Sequence, residues 1–477
     1  MIPAIDSASF ALDEASPEPL FRQIRDRIAG AVLDGRLAPG ARLPSARSLA
    51  AQLSIARGTV DAAYQLLAGE GYIIARGAAG TRIDSALDRR LLKPARAARL
   101  APASQPVVRP SGRTLPLFRM GLPALDLFPH KLWSRLIARR ARALGATHHA
   151  YQDAAGDEGL RVQIARYLAV ACGVACDPAQ IVVTSGYQGA LGLVTRVLMK
   201  PGEAAWLEHP GYRNAHEALR LAGMRLVGVP VDAEGFDVGW ARSEARPARI
   251  AFVTPTHQYP LGVTLSLQRR IALLKWAEAS EAWIVEDDYD SEFRYQGKPL
   301  PALKSLDRRE RVLYAGTFSK VLSPGLRVGY LVVPSGLVGR FTEVAQSLQP
   351  PPTLLVQSAI AEFIEQGHLA RHIRRMRQVY AERRAAVAEA LAEEVPQFDI
   401  ALKPGGMHLL ARLPRGTDDM NLVARLNDAG MAPAPLSTTG VERPYAPGLV
   451  IGFTNVDTNR ARHAARTLAS VLAAARR

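Results

Sequence analysis

The chain has 477 residues, nearly half of them hydrophobic, and carries a formal charge of +16. At roughly 100 to 200 residues per domain this length supplies two to four packed cores. No apolar run approaches the roughly 20 residues that cross a bilayer, and the N-terminus lacks a basic-then-apolar leader, so a cytoplasmic protein with no membrane partner is expected.

The first predicted helix runs from Leu20 to Leu37, with Leu20, Ile24, Ile28, Val32 and Leu33 near one face. Pro39-Gly40 should end it. A short second helix is expected from Ser45 to Leu53, a turn at Ser54-Ile55-Ala56, and a third helix from Arg57 to Ala68 that buries Val60, Ala63, Tyr64 and Leu67. Two extended runs, Tyr72 to Arg76 and Thr81 to Asp84, flank Gly77 to Gly80 and read as a hairpin.

From Ser85 to Leu115 the periodicity is lost in favour of Ala, Arg and Pro, as in a linker. Between Ser85 and Arg113 stand Arg89, Arg90, Lys93, Arg96, Arg99, Arg109 and Arg113 against Asp88 alone, a local field suited to a polyanion. The total charge is weaker evidence. Only eight residues are lysine, so arginine carries the excess, and a soluble enzyme can be equally basic. Extended at ~3.1 Å per residue, ~30 residues would span ~90 Å, enough to exchange the first domain between subunits. Beyond it, strands at Ile181–Thr184, Ala204–Leu207, Ile250–Val253, Trp283–Glu286 and Val312–Tyr314 alternate with helical patterns, the order of a doubly wound α/β sheet. A smaller subdomain is expected from about residue 370. The predicted layout is thus a first domain over 15–84, a linker over 85–115 and a large domain over 116–477.

Helix, turn, helix and hairpin in that order make a winged helix-turn-helix, whose third helix would enter the major groove of double-stranded promoter DNA. Arg42, Arg47 and Arg57 can pair with phosphates or guanine edges, Ser45 and Thr59 offer hydroxyls, and the backbone at the start of the third helix, including Gly58, faces the same way. The run RLPSARSLAAQLSIARGTVDAAYQLLAGEGYI from Arg42 closely resembles the GntR-type winged helix. A plain helical docking module remains the bland alternative.

The run TFSKVLSPGLRVGY from Thr317 resembles the Schiff-base segment of fold-type I aminotransferases, which implies pyridoxal 5'-phosphate held on Lys320. A lysine that attacks an aldehyde needs its neutral form, hence a packed site. The same resemblance implies that Arg327, Thr317 and Ser319 hold the phosphate together with Ser185-Gly186-Tyr187 at a helix start. It further implies that Tyr212 of His209-Pro210-Gly211-Tyr212 stacks on the ring, that Asp287 pairs with the ring nitrogen and Tyr289 with the ring hydroxyl, and that Tyr151 reaches the phosphate of a homodimer partner. The four segments occur in the family's order.

Two departures bear on the task. The stretch Leu449–Phe453, where such enzymes clamp a substrate carboxylate, holds no arginine, and Arg443 is out of register. The usual Asn-Pro-x-Gly turn is Tyr259-Pro260-Leu261-Gly262, so Tyr289, helped by His257 or Gln258, must serve the ring hydroxyl. Both favour sensing a small amine or amino-acid-like effector, or pyridoxal phosphate itself, over turnover. With Phe128-Pro129 and Trp133 after the linker, the chain resembles the MocR/GabR regulators over nearly its whole length. An aminotransferase with an accessory first domain, and a scaffold without cofactor, are the other readings. Cys172 and Cys176 are expected to be reduced thiols and no metal site is expected.

Overall fold

Three helices and a hairpin form the N-terminal unit, close to where the apolar spacing puts them. The computed structural model describes residues 12–13, 15–75, 80–87, 115–297, 301–348 and 350–475, and the chain divides into two compact units, 1–111 and 112–477. Helix α1, Leu20–Leu33, buries Ile24, Ile28 and Val32. It stops four residues before Leu37: Gly35 takes φ 80, left-handed backbone that ends the helical ladder, and the Leu37 amide turns back to the Ala31 carbonyl at 2.9 Å. Helix α2, Ala46–Leu53, is capped by Ser45, whose hydroxyl oxygen accepts from the Ser48 amide at 3.1 Å. Ser54 at φ 56 makes the turn into α3, Arg57–Gly69.

Val60, Ala63 and Leu67 of α3 are fully buried, and burying a side chain of the size of Val or Leu stabilises by about 1.5–3 kcal/mol. The Tyr64 hydroxyl donates to the Pro44 carbonyl at 2.9 Å and ties α3 to the start of α2. Strands β1, Ile73–Ala75, and β2, Thr81–Ile83, pair antiparallel as the hairpin. The hairpin tip, 76–79, and most of the basic segment, 88–114, lie outside the described residues.

The second unit is built on an eight-stranded sheet. Its strands are β3 Ile181–Thr184, β4 Ala204–His209, β5 Arg225–Asp232, β6 Gly235–Phe236, β7 Ile250–Val253, β8 Trp283–Asp288, β9 Val312–Thr317 and β10 Gly329–Val332, in the order β3-β10-β9-β8-β7-β4-β5-β6. From β9 to β5 the pairing is parallel, and β10 runs antiparallel to both β3 and β9. The five expected strands are present, with β4, β8 and β9 continuing past their expected ends. Strand β10 was not expected: all four of its residues are buried, so it shows no alternation, and it lies inside a run read for its chemistry.

Helix α4, His130–Ala143, follows Phe128, whose ring meets Trp133 edge-on at 6.0 Å. Helices α5, Tyr187–Leu198, and α6, Arg213–Leu221, follow β3 and β4. The smaller subdomain opens with helix α7, His368–Glu394, and carries the sheet β11-β12-β14-β13, made of Asp399–Ile400, His408–Arg412, Gly448–Gly452 and Ala434–Pro435 respectively. It is not solely C-terminal. The chain enters the second unit through it: the Leu117 amide donates to the Gly430 carbonyl at 3.1 Å and the Gly452 amide to the Phe118 carbonyl at 3.0 Å. Both cysteines are free, and burial pushes their thiols up, Cys176 to about 11. No helix among the described residues is long and apolar enough to cross a membrane.

Candidate cofactor site and nucleic-acid interface

The ends of β3, β4, β7, β8 and β9 open on one edge of the sheet, where parallel α/β sheets leave a crevice. A cavity of about 440 Å³ occupies it. Lys320 enters from the turn three residues beyond β9. Its Nζ donates to the Gly121 carbonyl at 2.9 Å, and burial holds the amine below its ordinary range against the pull of Asp287 and Asp290. Gly121 stands at φ 78, and a Cβ there would lie 2.7 Å from Nζ, so a side chain would be strained and would push the amine aside.

Asp287 projects from the end of β8 and is buried. Burial pushes its carboxyl well above the usual range, opposed by a hydrogen bond from Tyr187 and by the Lys320 charge. The Tyr187 ring lies 6.3 Å from that of Tyr212, and the Tyr259 ring meets Tyr212 edge-on at 5.8 Å. Asn214 Nδ2 donates to the Tyr212 hydroxyl at 3.1 Å. Gly186, at φ 78, caps the N-terminus of α5. Across from it Thr317 Oγ1 accepts from the Ser319 amide at 3.1 Å, and Arg327 follows the single turn Pro324–Leu326.

The cavity therefore gathers Gly186, Tyr187, Tyr212, Asp287, Tyr289, Thr317, Ser319, Lys320 and Arg327. Ser185 is not among its lining residues; Gln188, the second residue of the helix, takes that place. Tyr151 stands outside its own chain's cavity with its side chain wholly exposed. Gln258 turns away, donating to Glu208 and to the Pro210 and Tyr259 carbonyls, whereas His257 does reach the Tyr289 hydroxyl, at 3.1 Å. Strand β14 is buried throughout, and Arg443 is exposed in the loop before it. Met120, Gly121, Arg213, Thr438 and Thr439 also line the cavity and were missed, since no local motif marks them.

These residues fit a phosphorylated pyridine aldehyde. A buried carboxyl group suits a cationic ring nitrogen, a helix N-terminus with an exposed guanidinium on the same cavity suits a phosphate, and a desolvated lysine suits an aldehyde.

In the first unit Arg47, Arg57 and Gly58 are exposed at the starts of α2 and α3, with Thr59 half-buried beside them. Ser45 spends one acceptor lone pair on the helix cap, leaving its proton and a second lone pair for a ligand. Arg57 Nε pairs with Asp61 Oδ2 at 3.3 Å. Arg42 pairs in backbone register with Arg82 of the wing, its guanidinium beside Gly80.

A winged helix-turn-helix and a fold-type I aminotransferase body, in that order, define a class of two-part regulators. Residues 20–83 match the family of bacterial regulatory proteins, gntR family, and residues 128–468 match aminotransferase class I and II. The chain is 36% identical to the probable rhizopine catabolism regulatory protein MocR of Rhizobium meliloti, over 97% of this chain and 96% of that protein. It is 34% identical to the HTH-type pyridoxine biosynthesis transcriptional regulator PdxR of Corynebacterium glutamicum, over 95% and 96%. Among solved structures, the α-aminoadipate aminotransferase LysN of Thermus thermophilus, complexed with N-(5'-phosphopyridoxyl)-L-leucine, matches with TM-score 0.69 and 30% identity, over 76% of this chain and 92% of that one. The chain belongs to the MocR subfamily of gntR-family transcription regulators.

Proposed function

We propose that the second unit binds pyridoxal 5'-phosphate covalently at Lys320, and that a small amine or amino-acid-like effector, or the cofactor itself, controls how a homodimer holds promoter DNA. The observation that carries the reading is the convergence of a desolvated lysine, a buried carboxylate and a helix N-terminus on one cavity. Asp287 would hold the ring nitrogen, Tyr289 the ring hydroxyl and Tyr212 the ring face. Arg327, Thr317, Ser319 and the amides after Gly186 would hold the phosphate, with Tyr151 completing the partner's site. When bound, the cofactor supplies an aldehyde that condenses reversibly with amines and a ring that withdraws electrons.

The Gly121 carbonyl would receive the Lys320 amine when an effector amine takes its place on the cofactor. A shift in closure of the second unit would then alter the spacing of two DNA-binding heads, of which Arg42, Ser45, Arg47, Arg57, Gly58 and Thr59 form the contact face. A coupling of about 1–3 kcal/mol changes DNA affinity about 5- to 150-fold. The relatives' names support the choice of effector classes: one is named for rhizopine catabolism and one for pyridoxine biosynthesis. The missing arginine on β14 supports sensing over transamination of ordinary amino acids.

The decisive experiment is an absorption titration of purified protein with candidate amines and with pyridoxal phosphate, run beside promoter binding. Borohydride reduction and peptide mapping are expected to place the adduct on Lys320. Steady turnover of an amino donor and a keto acid without specific promoter binding would favour the aminotransferase reading.

A further inference from the structure

One wall of the cavity carries an arrangement that cofactor attachment leaves unused. His257, in the segment after β7, is buried, and its Nδ1 lies 3.1 Å from the Tyr289 hydroxyl and 3.0 Å from Asp290 Oδ2. Two glycines shape its slot: a Cβ on Gly406 would fall 2.0 Å from the imidazole Cε1, and one on Gly262 3.0 Å from Nε2. The imidazole is packed into a single orientation.

Nδ1 holds at most one proton, so its two neighbours are served differently. Asp290 is 2% exposed and, when ionised, only accepts. A bare Nδ1 facing it at 3.0 Å would oppose two lone pairs, so the proton belongs on Nδ1, directed at Asp290. With that nitrogen occupied, the Tyr289 hydroxyl has nothing there to donate to, and its proton turns to its open side, which is the cavity. Burial and the surrounding carboxylates hold the phenol well above its ordinary range, so it keeps that proton.

We propose that Asp290, through the tautomer of His257, aims the Tyr289 proton into the cavity, replacing the donor to the cofactor's ring oxygen that the Tyr259-Pro260 turn no longer supplies. Asp290 and His257 are positioning residues, and the inference rests on the cofactor reading above. The other groups around them do not compete. His408, its ring 5.4 Å from that of His257, is held neutral, pushed down to about 4 by burial, and donates through Nε2 to the Pro260 carbonyl at 2.9 Å. Lys403 lays its stem beside Gly262, and Asp287 and Glu208 act on Tyr289 only through their charge. Among the described residues no other side chain hydrogen-bonds His257 Nδ1.

The test uses the full-length protein in two states. In cofactor-free protein with ¹⁵N-labelled histidine, assigned with His257→Asn, the His257 signal should show Nδ1 protonated, and Asp290→Asn, which offers an amide donor, should move the proton to Nε2. A bare Nδ1 in the wild type would overturn the proposal. In protein reconstituted with pyridoxal phosphate, Tyr289→Phe and Asp290→Asn should each raise the pH midpoint of the visible band by about one unit, the worth of one hydrogen bond to a charged group. The double variant should shift no further than either single one, and His257→Asn, which keeps an N–H in place of Nδ1, should stay near the wild type. A midpoint that responds to Tyr289→Phe and ignores Asp290→Asn overturns the relay alone. Absence of any visible band in the wild type overturns the cofactor reading and with it the role given to the Tyr289 proton.

Discussion

The ε-amine of Lys320 donates to the carbonyl of Gly121, a residue 199 positions earlier, at 2.9 Å. The segment that leads into the second unit thereby holds the amine proposed to carry the cofactor. Alanine at Gly121 would bring strain at φ 78 and a methyl group 2.7 Å from Nζ. Gly121→Ala is expected to weaken cofactor retention about tenfold, the equivalent of about 1.4 kcal/mol. Titration of stripped protein followed by its visible band checks it.

Glu208 is buried at the end of β4, accepting from the Thr254 amide and hydroxyl and from Gln258, and burial raises its carboxyl to about 7. Its folded value lies above the unfolded one, so the folded state binds the extra proton at low pH. Stability from this group is complete below about 4.5 and is lost as pH rises through about 7. Glu208→Gln removes that slope. The melting temperature of the variant minus that of the wild type should therefore climb from pH 5 to pH 7 and level off above, whatever constant offset the amide introduces. A flat difference across a pH series of thermal melts would contradict the burial argument.

Asp61 pairs with Arg57 at 3.3 Å on an exposed helix face, and would compete with DNA for it in the contact face proposed above. An exposed i,i+4 pair is worth about 0.3–0.5 kcal/mol, so freeing the guanidinium costs the fold little. Asp61→Asn is expected to tighten promoter binding a few-fold and Arg57→Ala to weaken it by about 1–3 kcal/mol if the arginine reads a base. Binding should fall steeply with salt in every case, as released counterions require. Fluorescence anisotropy over a salt series measures all three.

Arg383 on α7 is 4% exposed and joins three parts of the second unit: it donates to the Thr454 carbonyl at 2.6 Å and pairs with Asp126 in the entering segment. Arg383→Ala would strand a buried carbonyl and leave a void, a loss of about 2–3 kcal/mol. Asp126→Asn should cost less than Arg383→Ala, because Asn keeps an acceptor oxygen for the buried guanidinium and its own side is half exposed. Denaturant unfolding of the two variants separates the buried anchor from its half-exposed partner.

Much of this was legible along the chain because the chemistry is local. Lys320, Thr317, Ser319 and Arg327 fall within eleven residues, and the turn after β9 presents them together. Helix ends were less legible: Gly35, not Pro39-Gly40, stops α1, since one residue at positive φ ends the ladder wherever packing allows the turn. Ser185 shows the limit of motif transfer, since it lies beside the helix start without lining the cavity. Tyr151, expected to serve a partner's site, stands exposed outside its own.

By itself the amino-acid order determined the division into a winged head and an α/β body, the place of the candidate Schiff-base lysine, and the absence of arginine from β14, because apolar periodicity and short motifs act over a few residues. Only tertiary structure decided that Gly121 receives the lysine, that Gln258 turns away while His257 meets Tyr289, and that the entering segment belongs to the smaller subdomain. The contacts of His257 with Tyr289, Lys320 with Gly121 and Gly452 with Phe118 join residues 32, 199 and 334 positions apart, and what selects them is the close packing of strands and loops around one cavity.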